Sequence, residues 1–316
     1  MPKPKTKTNR IKKTSAPQKP RRWLRPLLIA QAFLIVPLLI WMYVESRVVR
    51  LMISDVPLHD LPPEFDGVTV LFVSDLHMAA YASPEATMDL MRALQEAKPD
   101  LLLLGGDYTH TALIGGDAAE LRRRERFFEL MAEFEAPLGK YAVAGNHDVS
   151  LDKDAGSSLA EAMEKGGVTL LRNEVVRIEK DGAHLTLAGL DDWSRGVRDP
   201  AVLAGQIRSE ECAIVLSHNP DALPRLNTHQ ASNGGQWIDL MLSGHTHGGQ
   251  MTMFGLYNIY NPSIYGDRFL SGWKMEDGVK LLVSNGVGSV VVPFRLLAPA
   301  QAHLLTLRRG GEDDIS

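Results

Sequence analysis

The chain is poor in cysteine: Cys212 is the only one among 316 residues. An intramolecular disulfide is therefore excluded, and so are zinc sites and iron–sulfur clusters that depend on several cysteine ligands. The sequence also lacks the Gly-x-Ser-x-Gly elbow of serine hydrolases. The stretch "GVGSVVVPFRL" has glycines without the spacing of a phosphate-binding loop. The whole chain is 45% hydrophobic, enough for one large domain or two small ones.

Acidic residues are missing from the N-terminus, where residues 1–25 carry ten Lys and Arg. Residues 26–316 hold 24 basic and 38 acidic residues, a net charge of −14. Because residues 26–316 are this acidic, they repel DNA and RNA at long range, so nucleic acid is not an expected partner. The first 25 residues contain too few apolar side chains to fold alone and are predicted to be a disordered basic tail.

One long apolar run follows, "LLIAQAFLIVPLLIWMYV" at residues 27–44. Eighteen helical residues span about 27 Å, close to the thickness of a bilayer core, so residues 26–46 are predicted to be a transmembrane anchor. A cleaved signal peptide and a buried core helix are the alternatives. The positive charge before the run predicts a cytoplasmic N-terminus and a catalytic domain on the extracytoplasmic side. The membrane lipid bilayer is then an expected partner.

Beyond this run, the pattern is α/β. Buried strands are predicted at "VTVLFVS", "DLLLLGGD" and "KYAVAG", with helices between them. One helix, "SPEATMDLMRALQEAK", has Ser83 as N-cap and Pro84 at its first position. Later strand candidates alternate apolar and polar residues, as in a mixed sheet. Predicted boundaries are a linker at 47–65, a catalytic domain at 66–308 and a flexible tail at 309–316.

Each strong strand ends in side chains that bind metals, and open α/β sheets place their sites at such ends. These residues are Asp75, His77, Asp107, Asn146, His147, His218, His245 and His247. If the chain is extended there, Asp75 faces the same way as His77, and His245 the same way as His247. Any one pair is equally typical of a loop hydrogen bond, but the cluster as a whole points to a site. Carboxylate, amide and imidazole ligands without sulfur suit Mn, Fe or Zn, and two such cations form a clamp for phosphoryl chemistry.

Other polar motifs carry less weight. Asp191 and Asp192 are explained nearly as well by loop capping, and Cys212 in an apolar strand by core packing. Six apolar or aromatic residues after the last metal motif are predicted either to line an acyl-chain or nucleobase pocket or to be ordinary core: Met251, Met253, Phe254, Tyr257, Tyr260 and Tyr265.

The ordered motifs "SDLH", "GGD", "GNHD", "LSHNP" and "LSGHTHGGQ" resemble those of the calcineurin-like metallophosphoesterases. Within that superfamily the resemblance is to the bacterial membrane-associated YaeI/YkuE-type phosphodiesterase branch. It covers roughly residues 66–308 and implies two packed mixed β-sheets flanked by α-helices, a four-layer sandwich preceded here by the transmembrane helix.

The resemblance also implies a role for each motif residue. Asp75, His77 and His247 would hold a first divalent metal ion. Asn146, His218 and His245 would hold a second, and Asp107 would bridge both. His147 would donate a proton to the leaving oxygen. The sequence departs from the family pattern at His110, where relatives carry an aspartate that orients the proton donor.

The function expected from these observations is membrane-anchored, two-metal hydrolysis of a phosphodiester or pyrophosphate. The substrate would be lipid-linked or presented at a membrane, of the UDP-diacylglucosamine or phospholipid type. The alternatives are a non-catalytic scaffold stabilised by metal, or a nucleotide phosphodiesterase that does not act on lipids.

Overall fold

The computed structural model describes residues 24–78, 82–110, 116–152, 157–253, 257–258 and 260–310. In the described residues the strands are β1 (Arg50–Leu58), β2 (Thr69–Val73), β3 (Leu101–Leu104), β4 (Lys140–Ala142), β5 (Thr169–Leu170), β6 (Glu174–Lys180), β7 (Ala183–Gly189), β8 (Ala213–Leu216), β9 (Leu240–Ser243), β10 (Thr252–Met253), β11 (Tyr257–Asn258), β12 (Gly272–Glu276), β13 (Val279–Val283) and β14 (Gln301–Arg309). The helices are α1 (Leu24–Glu45), α2 (Pro84–Gln95), α3 (Asp117–Met131), α4 (Asn146–Leu151), α5 (Ser157–Lys165), α6 (Pro200–Ala204) and α7 (Leu223–Leu226).

Two six-stranded mixed sheets dominate the structure. The first has the order β1-β14-β2-β3-β4-β5, and the second has the order β12-β13-β9-β8-β7-β6. In the first sheet β2 to β5 run parallel, and β14 is antiparallel to β2. In the second, β7, β8, β9 and β13 run parallel, and β6 and β12 are antiparallel additions at the two edges. The predicted pair of mixed sheets is confirmed.

The alternation of side chains along each strand builds the layers, because successive residues point to opposite faces. Val70 and Phe72 of β2 lie in a core shared with the second sheet, together with Leu187 and Leu242. Their neighbours in β2 face the opposite way and pack against α2, α3 and α5. The outer face of the second sheet packs against α6 and α7. Strands that are buried on both faces explain the uninterrupted apolar runs seen in the sequence.

Local signals position α2 as predicted. The Ser83 hydroxyl accepts a hydrogen bond from the Ala86 amide at 3.2 Å, and Pro84 occupies the first turn. Met88 and Met91 are completely buried on the face toward the sheet. A capped first turn and an apolar stripe therefore fix both the start and the orientation of this helix.

The segment predicted as a linker, residues 47–65, contributes a strand to the first sheet. Within it β1 pairs in parallel with β14 along its whole length, from Arg50 opposite Gln301 to Leu58 opposite Arg309. Only its last residues are buried in an alternating manner. An exposed edge strand has a weak apolar pattern, which is why the sequence did not reveal it.

The transmembrane prediction for residues 26–46 is wrong. Among the residues that the structure describes, no helix combines the length and the apolar character needed to cross a bilayer. The last turn of α1 is used for packing instead: Met42 and Glu45 are buried, and the Leu297 amide donates to the Glu45 carboxylate at 3.1 Å. A span needs about 20 residues that face lipid. The predicted single-pass location, with a cytoplasmic N-terminus and an extracytoplasmic domain, is therefore wrong as well.

Candidate metal centre

The predicted site residues lie together at one edge of the two sheets. They follow the carboxyl ends of β2, β3 and β4 in the first sheet and of β8 and β9 in the second. Because parallel strands end at the same edge, residues distant in sequence are brought side by side there. The structure gathers all eight of them in this region.

The first group of ligand-type side chains is Asp75, His77 and His247, all buried. His77 Nε2 lies 3.0 Å from His247 Nε2. Asp75 Oδ1 lies 3.5 Å from His247 Nε2 and 3.8 Å from His77 Nε2. Three donor atoms therefore converge on one small volume, which is what a single divalent cation requires.

The second group is Asp107, His218 and His245. His245 Nδ1 lies 3.2 Å from His218 Nε2, and Asp107 Oδ2 lies 3.3 Å from His218 Nε2. The same Asp107 oxygen is 3.5 Å from His77 Nε2 in the first group. One carboxylate thus stands between the two groups.

Asn146 is the first residue of α4 and lies beside the second group. Together with Asp107 and His245 it lines a cavity of about 500 Å³. Its Oδ1 atom is buried and has no hydrogen-bond partner among the described residues. A buried amide oxygen without a donor is costly, and a cation at this point would satisfy it.

The backbone at the ligands differs from the sequence-based picture. Asp75 and His77 were expected to share a side through extended chain, but their φ angles are +56° and +44°. His245 and His247 have φ angles of +72° and +54°. These pairs converge through left-handed turns, a conformation that costs non-glycine residues on the order of 1–3 kcal/mol and concentrates at functional sites.

Two glycines let the loops that carry the ligands approach closely. A Cβ atom on Gly145 would overlap the Asp107 carboxylate, and one on Gly244 would overlap the Ser74 hydroxyl and the Asp75 carboxylate. The absence of a side chain at both positions is therefore required by the site itself rather than by a backbone angle, since Gly145 has a φ of −96°.

We expect Gly145→Ala to displace Asp107 and to weaken metal binding. The added methyl group has no space, so the loop must shift at a cost of about 1–3 kcal/mol. The bound metal per chain and the free energy of unfolding should both fall relative to the wild type. A matched control is Gly205→Ala at the end of α6, where the nearest atom to the new Cβ is 3.1 Å away. Equal metal content in the two variants would contradict this prediction.

Hydrogen bonds from the backbone hold the ligands in orientation. His218 Nδ1 lies 2.8 Å from the Gly105 carbonyl oxygen, which can only accept, so Nδ1 carries a proton and Nε2 is the ring nitrogen that faces the second group. The Ser74 hydroxyl donates to Asp75 Oδ2 at 2.6 Å, and the His245 amide donates to the same carboxylate at 3.1 Å.

Burial and neighbouring charges together set the protonation states of the side chains in the two groups. Burial lowers the pKa of His77 and His247 well below the usual value and that of His245 to about 3. Burial alone would raise the pKa of Asp107, but the neighbouring His218, His77 and His147 hold it well below its usual range. Burial alone would lower the pKa of His218, but Asp107 and Asp75 raise it well above the usual value, so a metal cation has to displace a proton from this imidazole in order to bind it.

His147 lies on the wall of the cavity, with 21% of its side chain exposed and Nε2 4.0 Å from Asp107 Oδ2. Its amide donates to Asp107 Oδ1 at 2.8 Å. The ring of His110 packs against it at 4.8 Å between ring centroids. At the position where an aspartate was expected, this chain therefore places a second imidazole.

Asp148 follows His147 directly in the chain, and its described hydrogen bonds serve the backbone. It accepts from the amides of Asp107 at 2.7 Å, Tyr108 at 3.2 Å and Gly145 at 2.9 Å. This carboxylate fastens the loop after β3 to the start of α4. Its place as the last residue of the "GNHD" motif gave no hint of that role.

Arg295, which no sequence pattern marked as part of the site, is fully buried. It donates to the carbonyl oxygens of His247 at 3.2 Å and Asn285 at 2.8 Å, so it ties the first group to the loop after β13.

The loop-capping interpretation of Asp191 and Asp192 is supported, since Asp192 accepts from the Ser194 amide at 3.0 Å and Asp191 pairs with Arg172. Cys212 is buried, as core packing requires.

The predicted apolar pocket is present in part. Met251 and Tyr260 line the cavity beside the two groups. Met253 and Tyr265 are exposed and are not among the residues that line it. Phe254 lies outside the described residues, as does the side chain of Tyr257.

The donor set fits divalent metal ions. In each group of three, the ligand atoms lie within 4.8 Å of one another, and the unpartnered Asn146 oxygen stands beside the second. Carboxylate, amide and imidazole donors without thiolate suit Mn, Fe or Zn in a catalytic site and disfavour a structural zinc.

Comparison with known proteins points to one family. A family model described as calcineurin-like phosphoesterase matches residues 68–249. The chain is 27% identical over 271 residues to the uncharacterized metallophosphoesterase YkuE of Bacillus subtilis, covering 84% of this chain and 88% of that protein. It is 30% identical over 240 residues to YpbG of the same organism, covering 76% and 81%. Against the phosphodiesterase YaeI of Escherichia coli it is 27% identical over 226 residues, covering 70% and 75%.

Proposed function

The chain belongs to the calcineurin-like phosphoesterase family and is a metal-dependent phosphoric ester hydrolase, and from that premise we propose that it cleaves phosphodiester or pyrophosphate bonds with two divalent cations. The observation that carries the proposal is the position of Asp107. One oxygen of this carboxylate lies 3.3 Å from His218 and 3.5 Å from His77, which is the placement a bridging ligand between two cations needs.

The proposed ligand sets follow the two groups. Asp75, His77 and His247 would hold one cation, and Asn146, His218 and His245 the other, with Asp107 shared. When bound, the two cations supply positive charge that stabilises the phosphoryl oxygens during displacement. The protein holds the donors in place beforehand through left-handed turns and buried hydrogen bonds, so little reorganisation is needed on binding.

His147 is proposed as the proton donor to the leaving oxygen. Its ring is partly exposed to the cavity and its amide is hydrogen-bonded to Asp107, so the ring is held next to the proposed reaction centre. Proton donation by a positioned imidazole matters most when the leaving alcohol is a weak acid.

The cavity favours a diester over a monoester. The described residues that line it include no Lys or Arg, and besides the site residues and His110 they are largely apolar: Gly249, Gln250, Met251, Tyr260, Val290, Val291 and Val292. A phosphomonoester carries about two negative charges near pH 7 and a diester only one, so the diester loses less solvation on entering. We propose that the substrate is a diester whose organic group is of lipid type, rather than a phosphomonoester.

The full chain, stripped of metal and reconstituted with Mn²⁺, Zn²⁺ or Fe²⁺, tests this function. We expect no turnover without metal, and turnover of p-nitrophenyl phosphodiesters at least about tenfold faster than of p-nitrophenyl phosphate. Pyrophosphate-linked substrates belong in the same panel. Activity that is indifferent to chelation, or a preference for the monoester, would overturn the proposal. If the p-nitrophenyl and pyrophosphate-linked substrates all fail to react and cyclic or dinucleotide substrates do react, the enzyme is specific for nucleotides and the lipid-type substrate is overturned.

A further inference from the structure

Val291 occupies a strained turn beside the metal centre. The Val292 amide donates to the Val290 carbonyl at 2.6 Å, which closes a three-residue turn, and Val291 has a φ of +61°. Three-residue turns of this hand are rare. A β-branched residue with positive φ is a true outlier and is strained. Glycine would relieve this strain, so the turn itself does not explain the presence of valine.

The side chain of Gln250 holds this turn in place. Its Nε2 atom donates to the carbonyl oxygens of Val290 at 2.9 Å and Val292 at 3.2 Å, and its Oε1 atom accepts from the Val290 amide at 2.8 Å. Gln250 is 4% exposed and follows His247 by three residues. The loop that carries the metal ligand thus also clamps the strained turn.

The clamped turn faces the reaction centre. Val290, Val291 and Val292 line the same cavity as Asp107 and His147, with Met251 and Tyr260 completing its apolar surface. Val291 is 66% exposed, so its side chain stands at the mouth of the cavity rather than in the core. An exposed valine held in a costly conformation has no packing role of its own.

We propose that the Gln250-clamped turn, residues 290–292, is the wall of a subsite that binds an alkyl or acyl chain carried by the phosphodiester. This assignment rests on the proposed function and names its substrate class. Three aliphatic side chains and a methionine offer contact area to a flexible chain. Gln250 cannot pair with the edge of a nucleobase, because both of its N–H groups are engaged by the turn.

Chain-length dependence tests the subsite. The substrates are p-nitrophenyl alkyl phosphodiesters with methyl, butyl and octyl groups, so the leaving group is constant and only the retained alcohol changes. We expect the KM of the wild type to fall at least about tenfold from methyl to octyl, because each additional buried methylene removes more apolar surface from water. Thymidine 5′-(p-nitrophenyl phosphate) is the nucleobase arm of the same experiment.

Two variants connect that dependence to the turn. Val291→Thr keeps the shape and the β-branch but replaces one methyl group by a hydroxyl, and we expect it to raise KM for the octyl diester about three- to tenfold more than KM for the methyl diester. Val291→Gly removes the side chain and the strain, so it should stabilise the protein and still lose the preference for octyl. Val202→Thr, an exposed valine in α6, is the matched control and should behave as the wild type.

The outcomes separate the inference from the function on which it rests. Hydrolysis of the methyl diester with no gain from longer chains overturns the subsite and leaves the enzyme activity standing. Variants at Val291 that keep the octyl preference overturn the role of the turn, and a preference for the thymidine ester overturns the alkyl assignment. If metal-loaded protein hydrolyses none of the diesters, the proposed function itself fails.

Discussion

Replacing Asp107 with asparagine should lower kcat/KM for every phosphodiester by about 10³-fold or more. The variant keeps the size of the side chain and an oxygen that can accept from the His147 amide, as Oδ1 does at 2.8 Å. It removes the negative charge between His77 and His218, so the proposed cations lose their shared ligand. Kinetics together with metal content by mass spectrometry measure the effect.

Asp100→Asn provides the matched control for this experiment. Asp100 precedes β3, the strand that Asp107 follows, and accepts from the amide and hydroxyl of Thr69, each at 2.8 Å. The same chemical change is then made at the opposite end of one strand, away from the metal groups. Asp107→Asn protein that retains more than about a tenth of wild-type activity would refute the bridging role.

Replacing His147 with glutamine should produce a loss that depends on the leaving group. For a diester with an alkyl alcohol as leaving group, we expect kcat to fall about 10²- to 10⁴-fold, the usual contribution of a positioned acid. For a p-nitrophenolate leaving group, which departs without a proton, the loss should stay below about tenfold. Plotting log kcat against the pKa of the leaving alcohol should give a steeper slope for the variant than for the wild type.

The control for the second prediction is His229→Gln, at a half-buried position where the imidazole Nδ1 lies 3.0 Å from the Arg225 carbonyl oxygen. That variant should follow the wild-type line. A parallel downward shift for His147→Gln, with an unchanged slope, would show that the His147 side chain acts by positioning its neighbours rather than by donating a proton.

Much of the site was predictable because its signals are local. Apolar runs that end in Asp75, Asp107, Asn146, His218 and His245 mark the carboxyl ends of buried strands, and parallel strands must bring those ends together. The structure places the eight predicted residues side by side. Their individual roles as ligands or proton donor remain predictions that the variants above address.

The membrane prediction failed because it also depended on a local signal alone. Hydrophobicity reports that a segment avoids water, and residues 27–44 hold no charged side chain. It does not report what the segment packs against. The last turn of α1 contacts residues 293–297, where the Arg295 amide donates to the Met42 carbonyl at 3.0 Å, a pairing about 250 positions apart in sequence.

The amino-acid sequence by itself determined the chemistry of the centre, the buried strands and the edge of the sheets at which the ligands follow them, since these depend on side-chain type and on short-range periodicity. Tertiary structure alone decided the left-handed turns at the ligands, the edge strand β1, the backbone role of Asp148 and the clamp of Gln250 on Val291. The edge strand, the role of Asp148 and the Gln250 clamp are the outcome of contacts between segments about 40 or more residues apart, whose free energy no local pattern records.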